Sequence, residues 1–164
     1  MKRREFLGVL GGVASVFPLT AKAQQSERIR RIGVLLSGGG ADDPDLQANM
    51  AAFRQVLQQL GWTDGHNVLI DYRSPAGNAD NTRKFAAELV ALASDVILSS
   101  GTAQLGPLLQ ATRTVPIVFV TVADPVGAGF VNSLARPGGN ATGFIQFEYS
   151  LSGKWLELLK ALRA

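Results

Sequence analysis

The sequence predicts an α/β fold built on a doubly wound, parallel, five-stranded sheet. Five short apolar runs rich in Val, Ile and Leu are spread along the chain. Stretches with apolar residues three and four positions apart separate most of them, which is the spacing of an amphipathic helix. Gly, Ser and Asp gather where the runs end, as turns at the edge of a sheet require. Alternation of strand and helix gives a parallel sheet with helices on both faces.

Ile32–Leu36 is a continuous apolar run bounded by Arg31 and Ser37-Gly-Gly-Gly40, as expected for a strand buried on both faces. Asp42-Asp-Pro-Asp45 supplies helix-starting chemistry. Leu46, Met50, Phe53, Leu57 and Leu60 then form one face of a helix over 45–60, which Gly61 stops. Val68–Tyr72 is the second strand. Phe85, Leu89 and Leu92 mark a helix over 81–93, Asp95–Leu98 a third strand, and Leu105, Leu108 and Leu109 a helix over 103–112. Pro116 opens a fourth strand, Ile117–Val122, and a short helix is expected over 127–135. Ala141–Phe144 is a short fifth strand. Trp155, Leu158, Leu159 and Leu162 share one face of a last helix over 151–163. Right-handed crossovers favour the flavodoxin-like strand order 2-1-3-4-5.

Residues 1–23 read as a cleavable signal peptide rather than as part of this domain. Lys2, Arg3 and Arg4 make a positive start, and Phe6–Phe17 an apolar stretch too short for a bilayer span. Pro18 breaks it, and Ala21-Lys22-Ala23 gives the small-x-small pattern cut by signal peptidase. Arg3-Arg4-Glu5-Phe6-Leu7 resembles the twin-arginine consensus, and Gly8, Gly11 and Gly12 keep the stretch only mildly hydrophobic. Export to the periplasm is expected, with membrane contact only in transit.

The leader also explains the charge. The chain carries +3 overall, and Lys2, Arg3, Arg4 and Lys22 against Glu5 account for all of it. Twelve cations and twelve carboxylates remain. A nucleic-acid partner needs a basic footprint on the folded domain, so that reading is dropped. With no cysteine in the chain, disulfides, thiolate metal sites and cysteine nucleophiles are excluded together.

In an open parallel sheet, ligands bind beyond the carboxyl ends of the strands, where strand order reverses. Here that crevice lies between the first and third strands. Ser37-Gly38-Gly-Gly40 follows the first strand and either lets backbone approach a ligand or is simply a flexible loop. Ser99-Ser100-Gly101-Thr102 directly precedes a helix. Hydroxyls and free helix-start N–H groups there suit a carboxylate, although Ser100 or Thr102 could equally cap the helix. Asp124, after the fourth strand, could accept from a ligand ammonium or hydroxyl, or cap the helix that follows.

Enzyme and cofactor chemistry is poorly served. No phosphate loop, dinucleotide fingerprint, metal-ligand spacing or nucleophile elbow occurs, so no cofactor and no metal are expected. The only histidine, His66, sits in a turn away from the crevice, and Asp42, Asp43 and Asp45 read as a solvated helix start.

The chain resembles ABC-transporter substrate-binding proteins with the type I periplasmic-binding fold, the group described as tryptophan/tyrosine-type. The resemblance rests on the Arg3–Phe6 leader, Ile32–Leu36, Phe53-Arg54, Leu60-Gly61-Trp62, Ala87–Val90, Asp95–Ile97, Val115–Val118, Asp124–Gly127, Leu134–Asn140 and Thr142–Phe144. It implies a non-enzymatic protein that binds an amino acid or similar small carboxylate and delivers it to an ABC permease. It further implies that Ser37, Ser99–Thr102 and Asp124 line one wall of a ligand cleft. Such proteins have two lobes, and residues 24–150 resemble the first, with 151–164 leading toward a second. A single wall cannot exclude water from a ligand, so weak affinity is expected of one lobe alone. Two other readings stay open, a flavodoxin-like enzyme and a non-functional remnant whose last helix would expose its apolar face.

Overall fold

The structure is a computed structural model and describes residues 28–40, 42–145 and 150–162. The leader, with Arg3, Arg4, Ala21 and Ala23, lies outside the described residues. The elements follow in the order β1 (Arg30–Leu35), α1 (Pro44–Gln59), β2 (Val68–Arg73), α2 (Ala79–Ala91), β3 (Val96–Ser100), α3 (Thr102–Ala111), β4 (Ile117–Val122), β5 (Ala141–Ile145) and α4 (Ser150–Ala161). All four strand pairings are parallel, and the order is β2-β1-β3-β4-β5. This is the topology read from the sequence, and β1 and β3 are the neighbours at which strand order reverses.

Two cores sandwich the sheet. On one face Leu35, Ile97, Phe119 and Val122 pack against Ala86 and Leu89 of α2 and Leu105 and Leu108 of α3. On the other, Val34 and Leu36 pack with Met50 of α1, supported by Ile32, Leu46, Phe53 and Leu98. Each fully buried aliphatic side chain contributes on the order of 1.5–3 kcal/mol, so both faces of β1 hold the fold together. The strand begins at Arg30, ahead of the apolar run. Arg30 and Arg31 pair with Val68 and Leu69 of β2, and Asp95 accepts from the Arg31 backbone N–H at 2.9 Å.

Helix starts follow ordinary capping chemistry except at the crevice. The Asp43 carboxylate caps α1 by accepting from the N–H groups of Asp45 and Leu46, and Pro44 occupies the first turn. Asn78 caps α2 through Asn81 N–H.

One expected element is absent. Residues 127–135 form turns rather than a helix. Gly127 and Gly129 weaken helix propensity there, and Gly129 takes φ +71°. The Asp124 carboxylate closes a turn by accepting from Gly127 N–H at 2.7 Å, and Phe130 N–H bonds back to Pro125 C=O. Asn140 then secures the entry to β5, its side-chain amide donating to the carbonyls of Thr112 and Val115.

Helix α4 leaves Trp155, Leu158, Leu159 and Leu162 exposed along one face. Phe144 at the β5 edge is 73% exposed. Among the described residues no helix is long and apolar enough to cross a membrane.

Candidate functional site

The carboxyl ends of β1, β3 and β4 bring three hydroxyl groups into a row. Ser37 follows β1, Ser100 closes β3 and Thr121 lies near the end of β4. Ser37 Oγ stands 3.3 Å from Ser100 Oγ, and Ser100 Oγ stands 3.3 Å from Thr121 Oγ1. The row opens into a cavity of about 380 Å³, whose remaining walls are Leu36, Leu46, Asp43, Asp45 and Asn49. None of the lining residues is cationic.

The direction of the protons along this row can be worked out. A hydroxyl has one proton and two lone pairs. Thr121 Oγ1 donates to the Val120 carbonyl at 2.7 Å, so its proton is committed. Ser100 is then the donor to Thr121, and Ser37 the donor to Ser100. Each hydroxyl polarises the next. The Thr121 proton is then directed to the Val120 carbonyl and the two serine protons lie along the row, so the hydroxyls have lone pairs rather than protons to offer a ligand. The row suits a ligand N–H or O–H donor.

Beside it, α3 offers the opposite polarity. Its cap is Gly101, at φ +95°, and no side chain caps the helix. Capping by Ser100 or Thr102, the alternative open from sequence, does not occur. The Thr102 hydroxyl accepts from Ala123 N–H at 3.3 Å and keeps its own proton available. The first-turn N–H groups of α3 and this exposed hydroxyl make a donor cluster at the positive end of a helix dipole. Donors and acceptors thus lie next to one another, the arrangement a zwitterion needs.

Gly101 is required at this point. Its φ is one that side-chain-bearing residues rarely adopt, and a Cβ there would stand 2.8 Å from both Gln104 Oε1 and Ser37 Cβ. Ser37 and α3 come together because position 101 has no side chain.

The other residues singled out from sequence fall into different places. Gly38 is exposed at φ +110° on the loop after β1. That loop is tied down at Gly39, whose carbonyl accepts from Ser74 Oγ at 2.6 Å. Ser99 is fully buried beneath the rim, and its Oγ has no partner. It pairs in register with Leu35, on the face that packs against α2 and α3. Asp124 is half-buried, with its turn-closing bond to Gly127 N–H. His66 is exposed in the turn before β2.

Four participants were not foreseen. Thr121 reads in sequence as one more strand residue, yet it takes φ +53° at a break in register between β4 and β5. A β-branched residue in this region is a genuine outlier. Asp43 and Asp45 form the helix start read from the sequence, with Asp43 capping α1, and they also line the cavity beside the row. Gln104 is 5% exposed, and its amide oxygen is buried without a partner. Its position in the first turn after an uncapped glycine is the one signal that could have flagged it.

A wider cleft of about 780 Å³ lies across the β2 edge and shares Leu36 and Leu46 with the first. There Arg54 stacks over Tyr72, with its guanidinium carbon 5.1 Å from the ring centre.

Comparison with known proteins places the chain in a family. Residues 40–163 match the family model described as ABC transporter substrate binding protein. A tyrosine-binding protein of Clostridioides difficile (strain R20291) is 32% identical over 141 residues, covering 86% of this chain and 39% of that protein. Among solved structures, the ABC domain in complex with L-Trp from Streptococcus pneumoniae is 29% identical, with a TM-score of 0.63. It is matched over 71% of this chain and 38% of its own length. A substrate-binding protein with adhesive properties from Clostridium difficile, in a ligand-free, open structure, is 31% identical with a TM-score of 0.69. It is matched over 81% of this chain and 43% of its own length. The chain therefore spans about two fifths of the length of these three relatives. By fold and by sequence, this chain belongs to the ABC transporter substrate binding protein family.

Proposed function

We propose that residues 24–150 are the first lobe of an exported solute-binding component of an ABC-type uptake system. The lobe binds an α-amino carboxylate without covalent chemistry and presents it to a permease. The observation that carries this reading is the uncapped start of α3 beside the Ser37–Ser100–Thr121 row, at the crevice where strand order reverses. A ligand carboxylate would take the α3 N–H groups and the Thr102 hydroxyl. Its amino group would face the lone pairs of the row, with Asp43 and Asp45 supplying a favourable field. Relatives named for tyrosine and L-Trp binding make those two amino acids the first ligands to test. The opposite wall of the cleft would come from a second lobe, toward which 151–164 leads.

The test is a thermal-shift panel on the chain without residues 1–23, using L-tyrosine, L-tryptophan, other amino acids and simple carboxylates. Selective stabilisation by aromatic amino acids supports the reading, and a flat panel counts against it. Export is tested separately. Replacing Arg3 and Arg4 by Lys should strand the full chain unprocessed inside the cell, and unchanged export would rule out the twin-arginine route.

A further inference from the structure

We infer that the cleft across the β2 edge is a second binding site, one that takes a planar aromatic anion. It is distinct from the Ser37–Ser100–Thr121 crevice, and the inference does not rest on the solute-binding reading. Helix α1 divides the two cavities. Asp45 and Asn49 line the smaller one, and Gln47, Ala51 and Arg54 line the cleft of about 780 Å³. That volume is in the range that holds a small organic ligand. The two cavities carry opposite charge. The crevice cavity has two aspartates and no cation, whereas the cleft has Arg54 and Arg73 and no carboxylate among its lining residues.

The two arginines are not equivalent. Arg73 is anchored, with Nε donating to Glu88 at 3.2 Å and Nη1 to the Tyr72 carbonyl at 3.0 Å. Arg54 has no such anchor. Its carboxylate neighbour Asp64 stands 3.9 Å away, beyond hydrogen-bond reach, and its Nε has no hydrogen-bond partner. The Tyr72 ring positions the guanidinium instead, 5.1 Å from carbon to ring centre. Stacking uses the face of the guanidinium and not its N–H groups, whose planar fork matches a carboxylate. The neighbouring wall is apolar. Buried Met50, partly buried Phe85 and the 48% exposed Tyr72 offer surface for a flat ring. A ring packed there can place its carboxylate on Arg54, within the field of Arg73. An ammonium in the same place meets two arginines and is repelled.

The experiment titrates the ¹⁵N-labelled full chain by NMR with indole-3-acetate, a flat ring bearing a carboxylate, and with tryptamine, the same ring bearing an ammonium. Indole-3-acetate should give saturable shifts at the Ala51, Tyr72, Arg73 and Ser74 amides and at the Arg54 Nε–H. Tryptamine should give none there. Arg54→Gln should weaken indole-3-acetate at least fivefold, the scale of a partly exposed charged contact. Ala51→Phe fills the cleft from an exposed helix position and should abolish these shifts, which covers the case in which the Arg54 variant folds poorly. Four results overturn the inference: no saturable shifts at the cleft, indole-3-acetate shifts confined to Ser37 and Ser100, equal binding of tryptamine there, or unchanged affinity in both variants. None of the four bears on amino-acid binding at the crevice, which the thermal-shift panel tests separately.

Discussion

The hydroxyl oxygens of Ser37 and Ser100 lie 3.3 Å apart across the β1–β3 junction, although 63 residues separate them in the chain. The sheet topology makes this contact, and it links the two loops that frame the crevice. Ser100 is the middle member of the row, accepting from Ser37 and donating to Thr121. Ser100→Ala should break the polarity of the row and weaken L-tyrosine and L-tryptophan binding about tenfold. Stability should change by only about 1 kcal/mol, because the lost bonds are partly exposed and long. Titration calorimetry paired with chemical denaturation checks both halves.

Gly101→Ala should be far more damaging. The new methyl would have to occupy a positive-φ backbone and displace Gln104 Oε1 and Ser37. Strain of this kind is on the order of 1–3 kcal/mol. Urea unfolding should show that loss, and the titrations above should show binding lost along with it.

Thr121→Gly should separate stability from binding. Glycine accepts the φ of +53° that threonine adopts under strain, so unfolding free energy should hold steady or rise by about 1 kcal/mol. The same change removes the last hydroxyl of the row. Amino-acid affinity should fall severalfold in a protein that is no less stable, as seen by denaturation and titration of the same sample.

Asp95 tests the opposite end of the sheet, away from the crevice. Its carboxyl is held below the usual aspartate value chiefly by the Arg31 backbone N–H, with Arg30 and Arg28 adding to this and partial burial opposing it. A folded-state pKa below the unfolded one adds stability that is present above the unfolded aspartate pKa and lost as pH falls through the folded value. Asp95→Asn should lower Tm by a few degrees at pH 7. The gap to wild type should close below about pH 4. Amino-acid binding at pH 7 should be unchanged. Thermal melts across a pH series check this.

Much of the fold was legible because burial on both faces of a parallel sheet writes itself as continuous apolar runs. Val34, Leu35 and Leu36 could be read as strand without knowing what covers them, and strand order followed from handedness. Local rules failed where a tertiary contact decides the conformation. Gly127 and Gly129 allowed Asp124 to close a turn where the spacing suggested a helix. Thr121 looked like an ordinary strand residue, because its positive φ belongs to an irregularity in the pairing of β4 with β5 that its own neighbours in sequence do not announce. There Gly143 comes against the Phe119 carbonyl too closely for any side chain, and the register breaks. In the site, residue types pointed to polar loops at strand ends. They could not tell Ser100, which faces the cavity, from Ser99, one residue earlier and buried on the other face. Strand parity decides that, and it depends on which face each neighbouring helix covers.

The most direct measurement is an ¹H–¹⁵N correlation titration of the labelled chain with L-tryptophan, followed residue by residue. The account predicts that amide shifts concentrate at Ser37, Ser100 to Gln104 and Thr121, with saturable dependence on ligand and little change near Asp95. An absence of saturable shifts, or shifts confined to the exposed apolar face of α4 around Trp155 and Leu159, would contradict it.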